Sequence, residues 1–164
     1  ADSASVLASV MHDETDIGIL SGGVDHAGGL TRAVILSDDL GIVARKGGAV
    51  ARAAARREGP RWADLACEPL IANPLCEQID DPALQGLLLA SALEARNTST
   101  LLAFVRAGLG ATVLPRSVLS GDDGGLVFLH PVDPPARREL RKIRTTARMP
   151  TPLAETFWQV LRLP

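Results

Sequence analysis

Residues 97–115 read NTSTLLAFVRAGLGATVLP, from Asn97 to Pro115, and this stretch decides the fold. Leu101, Leu102, Phe104 and Val105 fall at helical spacing, so a helix is expected over Thr100 to Ala107. Gly108 then supplies a left-handed stop. Ala111-Thr112-Val113-Leu114 reads as a strand ended by Pro115. Gly108-Leu109-Gly110 therefore follows a helix and precedes a strand, the wrong order for a dinucleotide-binding loop, whose glycines must feed a helix N-terminus. Asn97-Thr98-Ser99-Thr100 joins a strand candidate to the start of the helix, where open α/β sheets bind ligands. Unpaired N–H groups and the helix dipole favour an anion there, and hydroxyls add donors. Thr98 or Ser99 is expected to cap the helix, which is compatible with ligand contact by any of the four.

On the N-terminal side, Val6, Leu7, Val10 and Met11 follow the cap candidates Asp2 to Ser5 and read as a short amphipathic helix. Asp16 to Leu20 reads as a buried parallel strand ending at Ser21-Gly22-Gly23. Leu30 to Leu36 and Leu40 to Ala44 read as two strands split by Ser37-Asp38-Asp39. Arg45 to Arg61 is basic and Ala-rich and reads as an exposed loop or weak helix. Trp62 to Leu65 is a helical turn, Glu68 to Ala72 a strand and Asp80 to Gln85 a short helix, while Leu87 to Arg96 fits strand or helix. After a turn at Gly121 to Gly125, strands are expected at Leu126 to Leu129 and Leu140 to Thr145. Pro152 to Leu163 closes the chain as a helix with Leu153, Thr156, Phe157, Val160 and Leu161 as its apolar face. This alternation argues for an α/β protein with a largely parallel sheet.

Composition bounds the function. The 164 residues are 46% hydrophobic and 22% charged with a net charge of −2, which excludes a disordered chain and a whole-chain basic field for nucleic acid. No apolar run approaches the ~20 residues of a membrane span. A secretory signal pattern is missing too, so a cytoplasmic protein without a membrane partner is expected. Aromatics are 3% and Tyr is absent, so a pocket would be lined by aliphatic and small polar groups. His12, His26 and His130 are scattered singly, without zinc-ligand spacing. Neither a G-x-S-x-G elbow nor a Walker-type Lys is present. No catalytic residue, metal or cofactor is assigned, and the chain reads as a binding domain and not an enzyme. Ser21-Gly22-Gly23 and Asn73-Pro74 end two further strands; each suits a ligand contact or a plain turn. Cys67 and Cys76 make no disulfide framework. Redox sensing through Cys76 would need a lowered thiol pKa and a resolving partner, and Cys67 is expected at the opposite strand end.

Asn97 to Pro115 closely resembles the second lobe of LysR-type transcription regulators, with Ala107-Gly108-Leu109-Gly110 and Leu114-Pro115-Arg116 matching A-G-L-G and L-P-R. Asp16-Ile17-Gly18-Ile19 is similar to the D-[LI]-[AG]-[LI] strand of that family. Trp62-Ala63-Asp64-Leu65 with Glu68-Pro69-Leu70-Ile71 resembles its W-x-D-L…P-L-I element. Pro134-Pro135 with Arg138-Glu139-Leu140 resembles its late D-P-P…R-x-L strand, and Pro152 to Leu163 its closing helix. Five pieces in the family's order cover essentially the whole chain.

The resemblance implies an α/β protein of two Rossmann-like lobes joined by a hinge, a type II periplasmic-binding-protein-like fold. Lobe one would be residues 1–44 and 147–164, and lobe two residues 45–146. A small, anionic effector in the interlobe cleft would bias a homo-oligomer, a dimer or tetramer in the full-length protein. Transcription would be controlled through a separate winged helix-turn-helix, the part that meets DNA. The Ser/Thr turn maps to Thr98, Ser99 and Thr100, with Asn97 before it. The first-lobe strand end maps to Ser21, and the loop after Ile71 to Asn73 and Pro74. In the family an initial strand, helix and strand precede the helix at which this sequence starts. The first lobe is thus expected to be incomplete, to leave an unpaired edge at Asp16 to Leu20 that recruits another chain, and to bind effector weakly. The alternative is a periplasmic-type solute-binding protein on the same fold.

Overall fold

The computed structural model of the chain describes residues 3–21, 28–56, 58–119, 124–132 and 134–162. The helices are α1 (Ser3–Met11), α2 (Ala49–Ala55), α3 (Pro82–Ala90), α4 (Thr98–Arg106) and α5 (Pro152–Val160). The strands are β1 (Gly18–Ser21), β2 (Leu30–Arg45), β3 (Ile71–Ala72), β4 (Leu93–Glu94), β5 (Thr112–Pro115), β6 (Leu126–Leu129) and β7 (Ala136–Thr145). One sheet has the order β1-β7-β2-β5 with β6 also on β2, and β3 pairs with β4 in a second. Gly22 and Gly23, residues 121–123 of the expected turn and Leu163 lie outside the described residues.

Tertiary contacts divide the chain into two units, residues 1–38 with 138–164, and residues 39–137. These boundaries fall earlier along both crossing strands than the 44/45 and 146/147 positions expected from sequence. Nothing in the sequence marks the crossing, because β2 and β7 run through it without a break. The two strands expected at Leu30 to Leu36 and Leu40 to Ala44 are a single strand of 16 residues. Asp38 and Asp39 read as a break, but their charges are matched: Arg137 Nε lies 2.7 Å from Asp39, and Arg138 Nη2 lies 3.6 Å from Asp38. A matched carboxylate is tolerated in a strand where an isolated one would not be.

The expectation of a largely parallel sheet also needs correction. The β1–β7, β2–β5 and β2–β6 ladders are antiparallel, and β3–β4 is parallel. For β1 the partner is β7, with Gly18 opposite Ile143 and Ser21 opposite Leu140.

In the unit of residues 1–38 and 138–164, Val10, Leu20 and Ile143 form the core, with Val6, Leu7 and Leu30 against them. Helix α1 packs its Val6 and Val10 onto Gly18, where an added Cβ would meet Val6 Cγ1 at 2.7 Å. Helix α5 turns its expected face outward: Leu153 is 80% exposed, Phe157 47% and Val160 69%, while Ala154 and Trp158 are buried. Trp158 takes the inward position, with two cations on its ring, Lys142 Nζ at 4.7 Å and the Arg144 guanidinium at 4.6 Å. Lys142 Nζ also donates to the carbonyls of Trp158 and Leu161, satisfying the C-terminal end of α5. Thr151 caps the other end by accepting from Ala154 N–H at 3.1 Å. Hydrogen bonds from Gln159 and Arg144 hold the Glu155 carboxyl below the usual carboxylate range.

In the unit of residues 39–137, one cluster is built on Leu40, Ile42, Trp62, Leu65, Ile79, Leu84 and Val113, and a second on Val43, Ile71, Leu101, Val105, Leu114 and Leu126. The Trp62-Ala63-Asp64-Leu65 turn belongs to a 3-10 segment over Trp62–Cys67. The Trp62 ring is fully buried, and its indole N–H donates to Pro134 O at 2.9 Å. Asp64 Oδ2 accepts from Arg61 N–H at 2.8 Å, fixing the entry of the turn. The loop or weak helix expected at Arg45 to Arg61 contains an ordered helix, α2, with Val50 and Ala54 buried. Leu87 to Arg96 splits between the end of α3 and β4, as its ambiguous pattern allowed.

Candidate functional site

Strands β3 and β4 run parallel with Ile71 opposite Leu93 and Ala72 opposite Glu94, and Ala95 N–H donates to Ala72 O at 3.0 Å. The residues leading into β5 lie alongside β3 in the same direction, with Leu70 bridged to Ala111 and Ile71 N–H donating to Ala111 O at 2.8 Å. Gly110 makes this approach possible. It has φ +151°, and a Cβ there would lie 2.1 Å from Pro69 O. Gly108, at φ +79°, ends α4 as the sequence indicates. Three parallel strands thus release the chain at one end. Asn73-Pro74, Asn97–Thr100 and Arg116 all sit at those carboxyl ends.

The side chains at this end do different work. Asn73 is 4% exposed, and its amide nitrogen donates to Thr112 Oγ1 at 2.9 Å and Val113 O at 2.8 Å. Its Oδ1 accepts from Leu75 N–H at 2.8 Å. With both amide hydrogens spent inside, Asn73 shapes the exit of β3 and keeps no donor for a ligand. Pro74 beside it is exposed and has no N–H.

Asn97 is the cap of α4, where Thr98 or Ser99 was expected from sequence. Its Oδ1 accepts from Ser99 N–H at 2.9 Å and Thr100 N–H at 3.3 Å. Its backbone is extended at φ −98°, ψ 126°, as an N-cap requires, and the helix proper begins one residue later. Thr98, Ser99 and Thr100 therefore occupy the first helical turn, all exposed. Their hydroxyls are not spent on capping, and the turn contains no acidic residue. Glu94 nearby in sequence is engaged by Arg96 at 3.1 Å. Three exposed hydroxyls thus stand at the start of α4 as donors, while the Ser99 and Thr100 N–H groups are taken by the cap.

Ser21 belongs to the other unit, at the end of β1. Ser3 Oγ donates to Ser21 O at 3.1 Å and accepts from Ser21 N–H at 3.3 Å, so α1 fixes that strand end. The Ser21 hydroxyl is buried and has no hydrogen-bond partner among the described residues.

Cys76 follows β3 and is fully buried, while Cys67 precedes it and is exposed. Burial pushes the Cys76 thiol above its ordinary value, and backbone hydrogen bonds at Asn73 and Val113 only partly offset this. A buried thiol of raised pKa has little thiolate for redox chemistry. Among the described residues no three His, Cys, Asp or Glu side chains gather as metal ligands. No helix among them is long and apolar enough to cross a membrane.

The family model of the LysR substrate binding domain matches residues 1–163. The chain belongs to that family, the effector-binding domain of LysR-type transcription regulators, in which the domain is regulatory and binds ligands. The fold is similar to the regulatory domain of Synechocystis PCC6803 CcmR in complex with 2-PG, at 17% identity and a TM-score of 0.74, over 97% of this chain and 77% of that one. It is similar to the C-terminal domain of a probable LysR family transcriptional regulator from Rhodococcus sp. RHA1, at 21% identity and a TM-score of 0.71, over 97% of this chain and 80% of that one. It also resembles full-length CbnR complexed with its target DNA, at 16% identity and a TM-score of 0.71, over 97% of this chain and 56% of that one. No curated protein matches the chain.

Proposed function

We propose that this chain is the sensor of a cytoplasmic LysR-type regulator and takes a small anionic effector at the first turn of α4. The observation that carries this reading is the Asn97 cap: it takes the Ser99 and Thr100 N–H groups itself and leaves the exposed hydroxyls of Thr98, Ser99 and Thr100 unspent at the start of the helix. Asn73 supports the same end by tying β3 to β5, and the exposed Pro74 beside it is proposed as a further contact. Ser21 is proposed as a ligand contact within its own unit, on the strength of a buried hydroxyl that has no hydrogen-bond partner among the described residues. The anion class fits the three hydroxyl donors, and 2-PG stands in the CcmR complex as a small ligand of a similar domain. Binding would act on a homo-oligomer and reach DNA through a separate winged helix-turn-helix domain.

The test is a thermal-shift screen of the protein with inorganic phosphate, short mono- and dicarboxylates and phosphorylated acids. A ligand at 100 times its dissociation constant adds about 2.7 kcal/mol of stability. The reading predicts that the active compound is anionic and that Ser99→Ala and Thr100→Ala weaken it. Stabilisation by neutral compounds alone would refute the anion assignment.

A further inference from the structure

The segment from Arg45 to Arg61 holds six of the chain's 17 basic residues and one of its 19 acidic ones, and the effector reading does not use it. In the unit of residues 39–137 it borders a cavity of about 420 Å³ lined by Lys46, Gly47, Ala51, Ala55, Pro60, Val127 and Leu129 above buried Ala54. Ala51 and Ala55 lie one helical turn apart on α2, so one face of the helix offers methyl groups where larger side chains would fill the space. Val127 and Leu129 are two apart on β6 and share one face of the sheet. Val132 N–H holds Pro60 by donating to its carbonyl at 3.2 Å.

The polar end of this cavity is cationic. Lys46 follows directly on β2, and Arg52 Nη1 donates to Gly47 O, which keeps a guanidinium at the same edge. The N-terminus of α2 is already occupied, because Glu68 Oε1 accepts from Ala49 N–H and, at 3.3 Å, from Val50 N–H. The positive charge available to a ligand is therefore that of Lys46 and Arg52 and not the helix end.

The cavity is separate from the first turn of α4. Ile42 and Val43 of β2 pair with β5 and also with β6, so those two strands flank β2 on opposite sides. The order across this unit is β6-β2-β5-β3-β4, which puts β6 roughly 19 Å from β4 at about 4.8 Å per strand. The antiparallel register of Val43 opposite Thr112 and Leu40 opposite Pro115 places Lys46 at the amino end of β5, away from Asn73 and Asn97.

We propose that this groove is a second small-molecule site, for an organic anion with an apolar body such as an aliphatic carboxylate. The apolar body lies on Ala51, Ala55, Val127 and Leu129, and the carboxylate meets Lys46. The volume falls within the ~300–1,000 Å³ of small-molecule pockets, and an apolar floor with charge at its mouth matches their usual lining. Cationic groups around an apolar slot select an anionic amphiphile over a neutral one.

Calorimetric titration of the protein with octanoate, and with octanol as its neutral counterpart, tests the proposal. Saturable binding of one octanoate is expected, with octanol about tenfold weaker, or about 1.4 kcal/mol. Lys46→Glu and Ala55→Phe each weaken octanoate by at least about tenfold, whereas Leu89→Ala at an exposed position of α3 leaves it unchanged. Ala55 is exposed, so the larger side chain fills the groove without entering the core. Octanoate binding that survives Lys46→Glu, that equals octanol binding, or that is lost instead on Phe157→Ser in α5 would overturn the assignment. Absence of binding would overturn it equally.

Discussion

Asn73 donates to Thr112 Oγ1 at 2.9 Å, and that hydroxyl donates in turn to Ile71 O at 2.7 Å. This buried chain locks the exit of β3 to the start of β5 and fixes one wall of the carboxyl-end surface. Asn73→Ala removes three hydrogen bonds and leaves buried groups unpaired. It is expected to cost about 2–4 kcal/mol in urea unfolding. Asn73→Asp should be nearly as costly, because a carboxylate cannot donate to Val113 O.

The cap of α4 gives a prediction that separates stability from binding. Asn97→Ala should lower stability by about 1 kcal/mol, the usual loss for an N-cap. Thr98→Ala, Ser99→Ala and Thr100→Ala should each stay within about 0.5 kcal/mol of the parent, since exposed side chains carry little stability. Denaturant midpoints measured on the four variants check both halves.

Cys76 and Cys67 should differ sharply in reactivity. A thiol reagent should label Cys67 in the native protein and reach Cys76 only on unfolding. Because burial raises the Cys76 pKa, the unfolded chain loses that proton first as the pH rises. The stability contributed by this thiol is complete below its ordinary value of 9.0 and is lost as pH climbs through the folded value. Cys76→Ala should therefore flatten the alkaline fall in stability, measured by urea unfolding across that range.

Lys142 anchors the end of α5 through the carbonyls of Trp158 and Leu161. Lys142→Met keeps the length of the stem but leaves those carbonyls unsatisfied and removes one cation from the Trp158 ring. A loss of about 1–3 kcal/mol is expected. The near-ultraviolet signal of Trp158 should change with it.

Where local chemistry alone decides an element, the sequence was enough to read it. The helix, Gly108 stop and strand of residues 97–115 stand where their spacing puts them, since amphipathic period and a left-handed glycine act within one segment. The order of five short motifs likewise identified the family that the whole-chain match supports. Features set by a distant partner were not legible. Asp38 and Asp39 look like a strand break until Arg138 and Arg137 arrive from β7. On α5 the inward place goes to Trp158, which Lys142 and Arg144 meet from β7, while Leu153, Phe157 and Val160 face outward. At the candidate site the hydroxyl cluster was visible, but the choice of Asn97 over Thr98 or Ser99 as cap depends on where the helix starts. The structural role of Asn73 depends on Thr112, 39 positions away.

The anion dependence of stability, compared between the parent protein and a Thr98→Ala, Ser99→Ala, Thr100→Ala triple variant, decides whether the first turn of α4 senses an anion. The parent should gain about 2.7 kcal/mol at 100 times the dissociation constant of the best phosphate or carboxylate compound, and the triple variant should gain little at the same concentration. An equal gain in both proteins, or none in the parent across the screen, would contradict an anion-sensing role for the first turn of α4.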